Sequence, residues 1–419
     1  MEQIDLKYGR GTLPFEVPPD RFTVLRSSNV SQPLSDVEIG ERFDDPIGSR
    51  RLEEVIEPGS SVLFVLPDAT RQSGSGQLVN LLVRRLIANG TMPFDIAVIF
   101  ATGIHRSVTE EEKQQLLTQF IAQRVKTLDH SPRDLMRIAR MGETSGGIPV
   151  ELDRALIDFD HVILIGGITF HYFAGFTGGR KLICPGLASA RTIAETHKLA
   201  FDCESLARRD GVGPGLLAGN LVHEAFEEAA SKVQVSFAVN SIVDERGAVT
   251  GLFCGDRVQS HEAACGEYAA RHTVSIAEKR DLVVVSCGGW PHDSDLIQAH
   301  KAIDAAANAC TEGGTIIVVG ECAEGLGRDD LLDWFTSANS GELAKRLCQK
   351  YQVNGQTAWS LMEKTERFRI CAVSSLRREV LKKLGVTPVR SVEEALALTT
   401  SDSAGYIVPD GAKSMFTVG

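Results

Sequence analysis

The sequence has no apolar run long enough to span a bilayer, and its first twenty residues lack a basic start followed by an apolar core. We therefore expect neither a membrane segment nor a secretory signal. Basic residues are in the minority, since 44 Lys and Arg against 55 Asp and Glu give a formal net charge of -11. This balance argues against sequence-independent nucleic-acid binding and against attraction to anionic membranes, so an anionic ligand would need a local basic pocket.

The sequence also lacks CxxC pairs and the signature motifs of common nucleotide-binding loops. The nine cysteines of the 419 residues are scattered and never spaced as CxxC. We expect reduced thiols in a cytoplasmic protein, with neither a disulfide framework nor a zinc-thiolate site. The segment "GFTGGRKL" lacks the spacing of a Walker A loop, and no G-x-G-x-x-G opens a first βαβ unit.

The sequence does contain short apolar runs rich in Val, Ile and Phe, at 61–68, 94–103, 161–167, 282–289, 315–321 and 367–375. These runs do not alternate with polar residues, which is typical of strands covered on both faces of a parallel sheet. Helical patterns lie between them, and one opens with Thr109 and Glu112 in capping-box spacing. The pattern predicts an α/β fold of two domains, each a mostly parallel sheet flanked by helices.

We expect the domain boundary within 266–281, before a new strand begins at Leu282. This gives a cofactor-binding domain over 1–272 and a second α/β domain over 273–419. We also consider that the last strand, near 406–411, packs back on the first domain. A cleft between two domains is the default location of a ligand, so we expect the active site there.

Polar clusters follow the predicted strands, where parallel sheets collect ligand groups. In "PDATRQSGSG", Asp68, Thr70 and Arg71 could hold an anion, although a surface Asp-Arg pair with a helix cap fits equally well. In "FATGIHRSVTEEE", His105 suits proton transfer near neutral pH. A single histidine is nevertheless more often a structural hydrogen-bonding residue.

The densest cluster is "GGITFHYFAGFTGGRKLICPG" at 166–186, followed by "ETHKLAF". Its candidate residues are His171, Gly178, Gly179, Arg180, Lys181 and His197. The glycines allow a close approach of the backbone to a phosphate, Arg180 adds charge, and Lys181 is a candidate for covalent attachment. Further along, Gln298 and Lys301 share one face of a predicted helix, where they could hold a hydroxy-carboxylate or form a solvated helix face.

These motifs, in this order, resemble those of the nickel-pincer lactate racemase family. The matching segments are "DATR", "ATGIHRSVT", "HYFAGFTGGRKLICPG", "TIAETH", "GGWPHDSDLIQAHK", "EGGTIIVVG" and "YIVPDG". Each is weak alone, but the ordered set covers nearly the whole chain. The resemblance implies a cofactor, nickel pyridinium-3,5-bisthiocarboxylic acid mononucleotide, tethered to Lys181 by a thioamide bond, with His197 completing the nickel coordination.

The resemblance also implies a reaction. His105 and His171 correspond to the acid/base pair, so that one histidine takes the hydroxyl proton while hydride moves to the pincer carbon. A planar 2-oxo acid results, and hydride returns to either face. The remaining matches are Arg71, Gln298 and Lys301 for the substrate, and Asp68, Thr70, Gly178, Gly179 and Arg180 around the cofactor. Asp68 is expected to orient Arg71 or a catalytic histidine.

The chain departs from the family pattern around the substrate. Ile297 replaces a tyrosine, Trp290 replaces another, and Gln356 lies near the position of a tryptophan, while His300 adds a polar group. These changes favour a longer, hydroxylated acid such as an aldonate, which would make the protein a C2-epimerase. Lactate-like or malate-like acids are the alternative.

Two other functions stay open at this point. One is a metal hydrolase that uses His105, His171 and His197, although the chain has no HExxH pair. The other is a non-catalytic cofactor-binding protein, for which two acid/base histidines would be superfluous. The expected partners are a small 2-hydroxy acid and the enzymes that synthesise the pincer nucleotide; the oligomeric state is open.

Overall fold

The computed structural model describes residues 2–18, 20–27, 32–400 and 404–419. The chain forms two compact units. The amino-terminal unit comprises Val30–Ala200 and Asp210–Ala270, and the carboxyl-terminal unit comprises Arg271–Gly419, Phe201–Arg209 and the described part of Met1–Asn29. Both units alternate strands with helices, which confirms the predicted α/β class.

The described strands are β1 (Glu2–Tyr8), β2 (Gly11–Val17), β3 (Phe22–Val24), β4 (Val62–Pro67), β5 (Ile96–Ala101), β6 (Lys126–Asp129), β7 (Ile138–Glu143), β8 (Pro149–Asp153), β9 (His161–Gly167), β10 (Phe170–His171), β11 (Gly175–Phe176), β12 (Phe201–Asp202), β13 (Ala207–Arg208), β14 (Phe237–Val243), β15 (Val249–Gly255), β16 (Thr273–Ile276), β17 (Arg280–Ser286), β18 (Cys310–Val319), β19 (Arg369–Val373), β20 (Thr387–Val389), β21 (Gly405–Val408) and β22 (Met415–Val418).

The described α-helices are α1 (Asp36–Asp44), α2 (Leu52–Val55), α3 (Ser75–Ala88), α4 (Glu110–Ala122), α5 (Ala155–Asp158), α6 (Ala190–Lys198), α7 (Leu221–Ala230), α8 (Arg257–His272), α9 (Leu296–Ala307), α10 (Ser340–Gln349), α11 (Val353–Arg367), α12 (Arg378–Lys383) and α13 (Val392–Leu396). Short 3-10 segments lie at Pro93–Asp95, Gly179–Leu182, Asp329–Thr336 and Gly411–Lys413. No helix in the described part of the chain is long and apolar enough to cross a bilayer.

The main sheet of the amino-terminal unit has the strand order β15-β14-β9-β4-β5-β6. All neighbouring strands are parallel except β14 and β15. Every residue of β4 is buried, as its unbroken apolar run predicts. The chain proceeds from β4 to β5 and β6 on one side and returns to β9 on the other, so the strand order reverses between β4 and β9. Ligands bind at such a reversal in open α/β sheets.

Helix boundaries in this unit follow local sequence signals. Thr109 and Glu112 form both bonds of the predicted capping box at the start of α4. After α3, Gly90 has a φ of +98°, a backbone conformation that glycine adopts without a steric penalty. Leu78 and Leu82 of α3 are fully buried in the core beneath the sheet. These helices therefore cover the sheet and leave the strand ends for the loops that follow β4 and β5.

The carboxyl-terminal unit contains a fully parallel sheet of order β20-β19-β18-β17-β21-β3. Residues of α9, α10 and α11 form the core on one face. The hairpin of β1 and β2 contributes Ile4, Leu6, Phe15 and Val17 to the core on the other face. Both faces are thus covered, which explains the continuous apolar strands of this unit.

The division of the chain differs from the single boundary predicted after residue 272. The described residues near the amino terminus belong to the carboxyl-terminal unit, and β3 pairs there with β21. The strand β21, near the predicted strand at 406–411, pairs with β17 inside the second sheet. The strand β3 has only three residues, which is too short to give a recognisable hydrophobic pattern.

The expectation that all cysteines are reduced is also wrong. Cys203 and Cys348 form a disulfide across 145 residues of sequence, while the other seven cysteines are free and buried. Spacing along the chain does not reveal a pair that the tertiary structure brings together.

Candidate active site

Three loops meet at the reversal point of the amino-terminal sheet. Asp68 follows β4, His105 lies in the loop after β5, and His171 lies beyond β9. Because β9, β4 and β5 are adjacent and parallel, their carboxyl ends lie at one edge of the sheet. The structure therefore gathers at one edge the clusters that the sequence places far apart.

Asp68 and His105 form a direct pair. Oδ2 of Asp68 lies 2.8 Å from Nδ1 of His105, and Oδ1 accepts hydrogen bonds from the Thr70 hydroxyl at 2.5 Å and the Thr70 amide at 3.0 Å. Burial alone would raise the pKa of Asp68, but His105, Arg71 and Thr70 hold it well below its usual value. The ionised carboxylate can only accept, so Nδ1 of His105 is the donor, and in the neutral tautomer of this ring the lone pair is at Nε2.

The loop of His105 is also tied to the turn that contains Lys181. The amide of Gly103 donates to the carbonyl of Gly186 at 2.8 Å, and the amide of Gly186 donates to the carbonyl of Lys181 at 3.0 Å. About 45% of the His105 side chain remains exposed. The candidate base is thus accessible, and its loop is connected through Gly186 to the turn of the candidate attachment residue.

Lys181 and His197 share an aromatic slot, formed by Phe173 and Phe226. The ammonium nitrogen of Lys181 lies 5.7 Å from the ring centre of Phe173 and 5.5 Å from that of Phe226. The His197 ring packs against the same two rings, with centroid distances of 5.2 Å and 5.4 Å. Both phenylalanines are buried, so the slot excludes most water from the two polar side chains.

His197 is held as a neutral imidazole. Its Nδ1 donates to the carbonyl of Ile193, one turn earlier in α6, at 2.8 Å. Burial and the positive charge of Lys181 lower the pKa of His197 to about 3. Nδ1 carries the proton, so Nε2 presents a lone pair that could coordinate a metal. A ring fixed in this way by a backbone carbonyl is a preorganised metal ligand.

His171 is buried against the edge of the same slot, with its ring centre 4.5 Å from that of Phe173 in an edge-to-face arrangement. The amide of Ala174 donates to Nδ1 of His171 at 3.2 Å. The proton of the neutral ring therefore lies at Nε2, which is the opposite tautomer from that of His105. The two candidate acid/base residues are thus prepared differently.

Arg180 and the neighbouring glycines lie in the turn that contains Lys181, and their predicted role beside the cofactor stays a prediction. Only 1% of Arg180 is exposed, and its guanidinium donates to the carbonyl of Ala174 at 2.7 Å and lies 2.9 Å from Nε2 of His261. The amide of Gly179 donates to Asn240 at 3.2 Å, and Gly178 has a φ of +74°. These contacts hold the turn together.

The predicted substrate residues occur in both units. Arg71 belongs to the amino-terminal unit, where its charge acts on Asp68. Gln298 and Lys301 lie on α9 of the carboxyl-terminal unit, and Lys301 Nζ donates to Oε1 of Gln298 at 2.5 Å. These two side chains therefore share the helix face that their spacing predicts. The expected location of the active site between the domains stays a prediction.

The residues that replace the family's substrate contacts are mostly interior. His300 is 2% exposed, its Nδ1 donates to the carbonyl of Ile297 at 2.7 Å, and burial lowers its pKa to about 4. Gln356 is buried and accepts a hydrogen bond from the hydroxyl of Tyr351. Trp359 packs edge to face on Phe201 and belongs to the core. Trp290 lies under the guanidinium of Arg10.

Sequence reasoning missed several residues of the site. Phe226 lies on α7, where a single apolar residue in an amphipathic helix gives no functional signal. The hydroxyls of Ser73 and Thr102 are buried beyond the carboxyl ends of β4 and β5 and have no hydrogen-bond partner within the described part of the chain. Buried polar atoms without protein partners are common where a ligand binds.

The fold and these side chains define an α/β protein with an aspartate–histidine pair at the reversal point of a parallel sheet, together with a lysine and a neutral histidine in an aromatic slot. Two family models match the chain: the lactate racemase N-terminal domain over residues 8–208 and the lactate racemase C-terminal domain over residues 276–415. The chain therefore belongs to the lactate racemase family, and it is an isomerase of the racemase type.

Individual relatives agree with this assignment. The lactate racemase of Thermoanaerobacterium thermosaccharolyticum is 28% identical over 425 residues, covering 98% of each chain. That of Lactiplantibacillus plantarum is 30% identical over 331 residues, covering 78% of this chain and 76% of the relative. The solved lactate racemase apoprotein from T. thermosaccharolyticum has a TM-score of 0.90 at 26% identity, with 99% and 100% coverage. A Thermotoga maritima protein, at 19% identity, TM-score 0.71 and coverages of 93% and 100%, shares the fold.

Proposed function

We propose that this chain is a racemase or C2-epimerase of a 2-hydroxy acid that uses a nickel-pincer nucleotide tethered to Lys181. The observation that carries the proposal is the aromatic slot, which places Lys181 and His197 against the same two rings. A lysine for attachment and an imidazole for coordination are the two protein groups that this cofactor requires.

The residues present fit the cofactor. His197 is neutral and presents Nε2, as a nickel ligand must. Ser73 and Thr102 supply buried hydroxyls that have no partner in the described residues, and polar groups of a nucleotide would satisfy them. When bound, the nucleotide supplies a carbon centre that accepts hydride from the substrate and returns it.

The protein's own contribution is proton transfer. His105 accepts the hydroxyl proton at Nε2, and the carboxylate of Asp68 stabilises the resulting imidazolium through Nδ1. His171 has the second acid/base role, for the enantiomer whose hydroxyl has the other orientation. Its neutral ring carries the proton at Nε2. The ring must therefore lose that proton before Nε2 can act as a base.

Arg71, Gln298 and Lys301 are the proposed contacts of the substrate. Arginine and lysine bind carboxylates through charge-assisted hydrogen bonds, and the Gln298 amide can bond to a hydroxyl. The names of the relatives support lactate or a similar 2-hydroxy acid. The polar Gln356, where the family pattern has a tryptophan, supports a longer hydroxylated acid such as an aldonate as the second candidate.

Cofactor loading is the first test. The full chain would be produced together with the enzymes that synthesise the pincer nucleotide, and intact mass and nickel content would be measured. We expect a nucleotide-sized mass increase with one nickel per chain, absent in Lys181→Ala. Loading of a known family member but not of this chain would refute the proposal and return the histidines to a hydrolytic metal site or to structural roles.

The substrate is tested on loaded protein. The pure enantiomers of lactate and malate, and gluconate with its C2 epimer, would each be followed for loss of stereochemical purity. Interconversion of lactate but not gluconate would exclude the aldonate candidate. In each case we expect Lys181→Ala to be inactive, which separates cofactor-dependent turnover from background.

A further inference from the structure

A short segment of the chain, Phe201–Arg209, belongs to the carboxyl-terminal unit, although the chain on both sides of it belongs to the amino-terminal unit. We call this segment the strap. It is a small hairpin in which Phe201 pairs with Arg208 and Asp202 with Ala207. The strap begins four residues after His197, so one stretch of chain leads from the proposed nickel ligand directly into the carboxyl-terminal unit.

The strap is attached to three helices of that unit by three kinds of interaction. Arg208 donates to Oδ1 of Asp304 on α9 at 2.7 Å. The ring of Phe201 packs edge to face on Trp359 of α11, with centroids 4.9 Å apart. A disulfide joins Cys203 of the strap to Cys348 of α10. Three such interactions within nine residues are more than a simple connecting loop needs.

The anchor on α9 is electrostatic and buried. Asp304 is 5% exposed, and Nζ of Lys364 on α11 lies 3.5 Å from the same carboxylate oxygen that Arg208 contacts. Burial alone would raise the pKa of Asp304, but Arg208 and Lys364 lower it to about 2, so the carboxylate is ionised. Removing Arg208 would leave a buried charge with one weaker partner, and α9 would have to shift or admit water.

The same helix carries the proposed substrate contacts. Asp304 follows Lys301 by three residues on α9, and Lys301 is bonded to Gln298 one turn earlier. A rotation of α9 that hydrates Asp304 would therefore also turn the Gln298 and Lys301 pair. The strap thus acts on the helix that the proposed function assigns to the substrate.

We propose that Arg208 is a positioning residue for substrate binding, because its bond to Asp304 holds α9 in the orientation from which Lys301 contacts the substrate carboxylate. The inference rests on the proposed function. The disulfide also joins the strap to the carboxyl-terminal unit, so its reduction should weaken the same constraint. A dithiol reductant supplies two electrons and two protons, the bond between Cys203 and Cys348 breaks to two thiols, and the reductant becomes a cyclic disulfide.

The first measurement needs no cofactor. Hydrogen-deuterium exchange of α9 would be followed by mass spectrometry in the full-length wild type, Arg208→Gln, Arg208→Lys and Arg209→Gln. Arg209 is the matched control, because it carries the same charge in the same strap and bonds to the carbonyl of Phe201. We expect faster exchange at α9 in Arg208→Gln, partial recovery in Arg208→Lys and wild-type exchange in Arg209→Gln. Unchanged exchange in Arg208→Gln would overturn the anchoring.

The second measurement uses loaded enzyme. We expect KM of Arg208→Gln to rise by roughly tenfold or more while kcat changes by less than about threefold, since the variant loses substrate binding and keeps the proton-transfer groups. Dithiothreitol should raise the wild-type KM as well, and Cys203→Ser should show the raised KM without a further response to dithiothreitol. An unchanged KM together with faster exchange at α9 would overturn the positioning role.

The two proposals fail differently. A wild type that carries no Lys181 adduct overturns the proposed function, and the exchange at α9 then decides the anchoring by itself. A wild type that loads and turns over, with the KM of Arg208→Gln unchanged, overturns only the inference about the strap.

Discussion

Asp68 shows how one buried carboxylate sets the chemistry of its neighbour. Its ionised oxygens accept from Thr70 on one side and from His105 on the other, which fixes the tautomer of the histidine. His171 receives a backbone amide at the equivalent nitrogen and has the opposite tautomer. The two histidines therefore carry their protons on different ring nitrogens. The difference originates in the group that each Nδ1 contacts, a carboxylate for His105 and a backbone amide for His171.

Replacing Asp68 with Asn should therefore impair proton transfer. An amide can donate to Nδ1 of His105 and favour the wrong tautomer, so we expect kcat to fall by roughly 10²- to 10⁴-fold. The measurement is the racemisation rate in both directions, normalised to the Lys181 adduct determined by mass. A rate within about threefold of wild type would mean that His105 does not depend on Asp68 for its tautomer.

The turn at Gly179–Leu182 determines where the side chain of Lys181 lies. Gly179 has a φ of +48°, and a Cβ on it would lie 2.6 Å from the ring of His261. Arg180, which bonds to that ring, is packed into the interior. The turn therefore projects Lys181 toward the aromatic slot because its two preceding residues are fixed against α8.

Gly179→Ala should displace this turn. We expect a loss of roughly 1–3 kcal/mol in the free energy of unfolding, from a strained backbone and a forced shift of His261, together with a lower yield of the Lys181 adduct. Gly266→Ala is the matched control: it lies on the same helix α8 as His261, has open space at its Cβ, and should stabilise by roughly 0.5–1 kcal/mol. Urea denaturation and intact mass would be measured on both. Equal adduct yields would show that the turn tolerates displacement.

The whole molecule buries several histidines in the neutral state. Burial lowers the pKa of His197 to about 3 and that of His300 to about 4, and holds the pKa of His261 well below its ordinary value of 6.5. In the unfolded chain these rings bind protons below about pH 6.5, whereas in the folded protein they do so only at much lower pH. Acidification therefore favours the unfolded state.

We expect the free energy of unfolding to decrease as the pH falls from about 6.5 to about 5, by up to roughly 2 kcal/mol for each buried histidine. The urea midpoint, followed by circular dichroism at a series of pH values, measures the effect. His300→Gln should reduce the pH dependence in the transition of the carboxyl-terminal unit. A midpoint that does not change over this range would show that the rings are protonated in the folded state.

The sequence predicted correctly those features that depend only on residues close together in the chain. The capping box of α4 and the shared face of Gln298 and Lys301 were both predicted and are both present. The burial of Arg180 against His261 was not predictable, because the environment of a charged side chain depends on neighbours that come from distant segments.

The sequence by itself determined the α/β class, the strands that end at the candidate site, and the family to which the ordered motifs belong, because unbroken apolar runs and motif order are properties of the chain. The tertiary structure decided the aromatic slot, the opposite tautomers of His105 and His171, the pairing of Cys203 with Cys348 and the strap. Each of these depends on contacts between residues far apart in sequence, and such contacts exist only after the sheets and helices have packed.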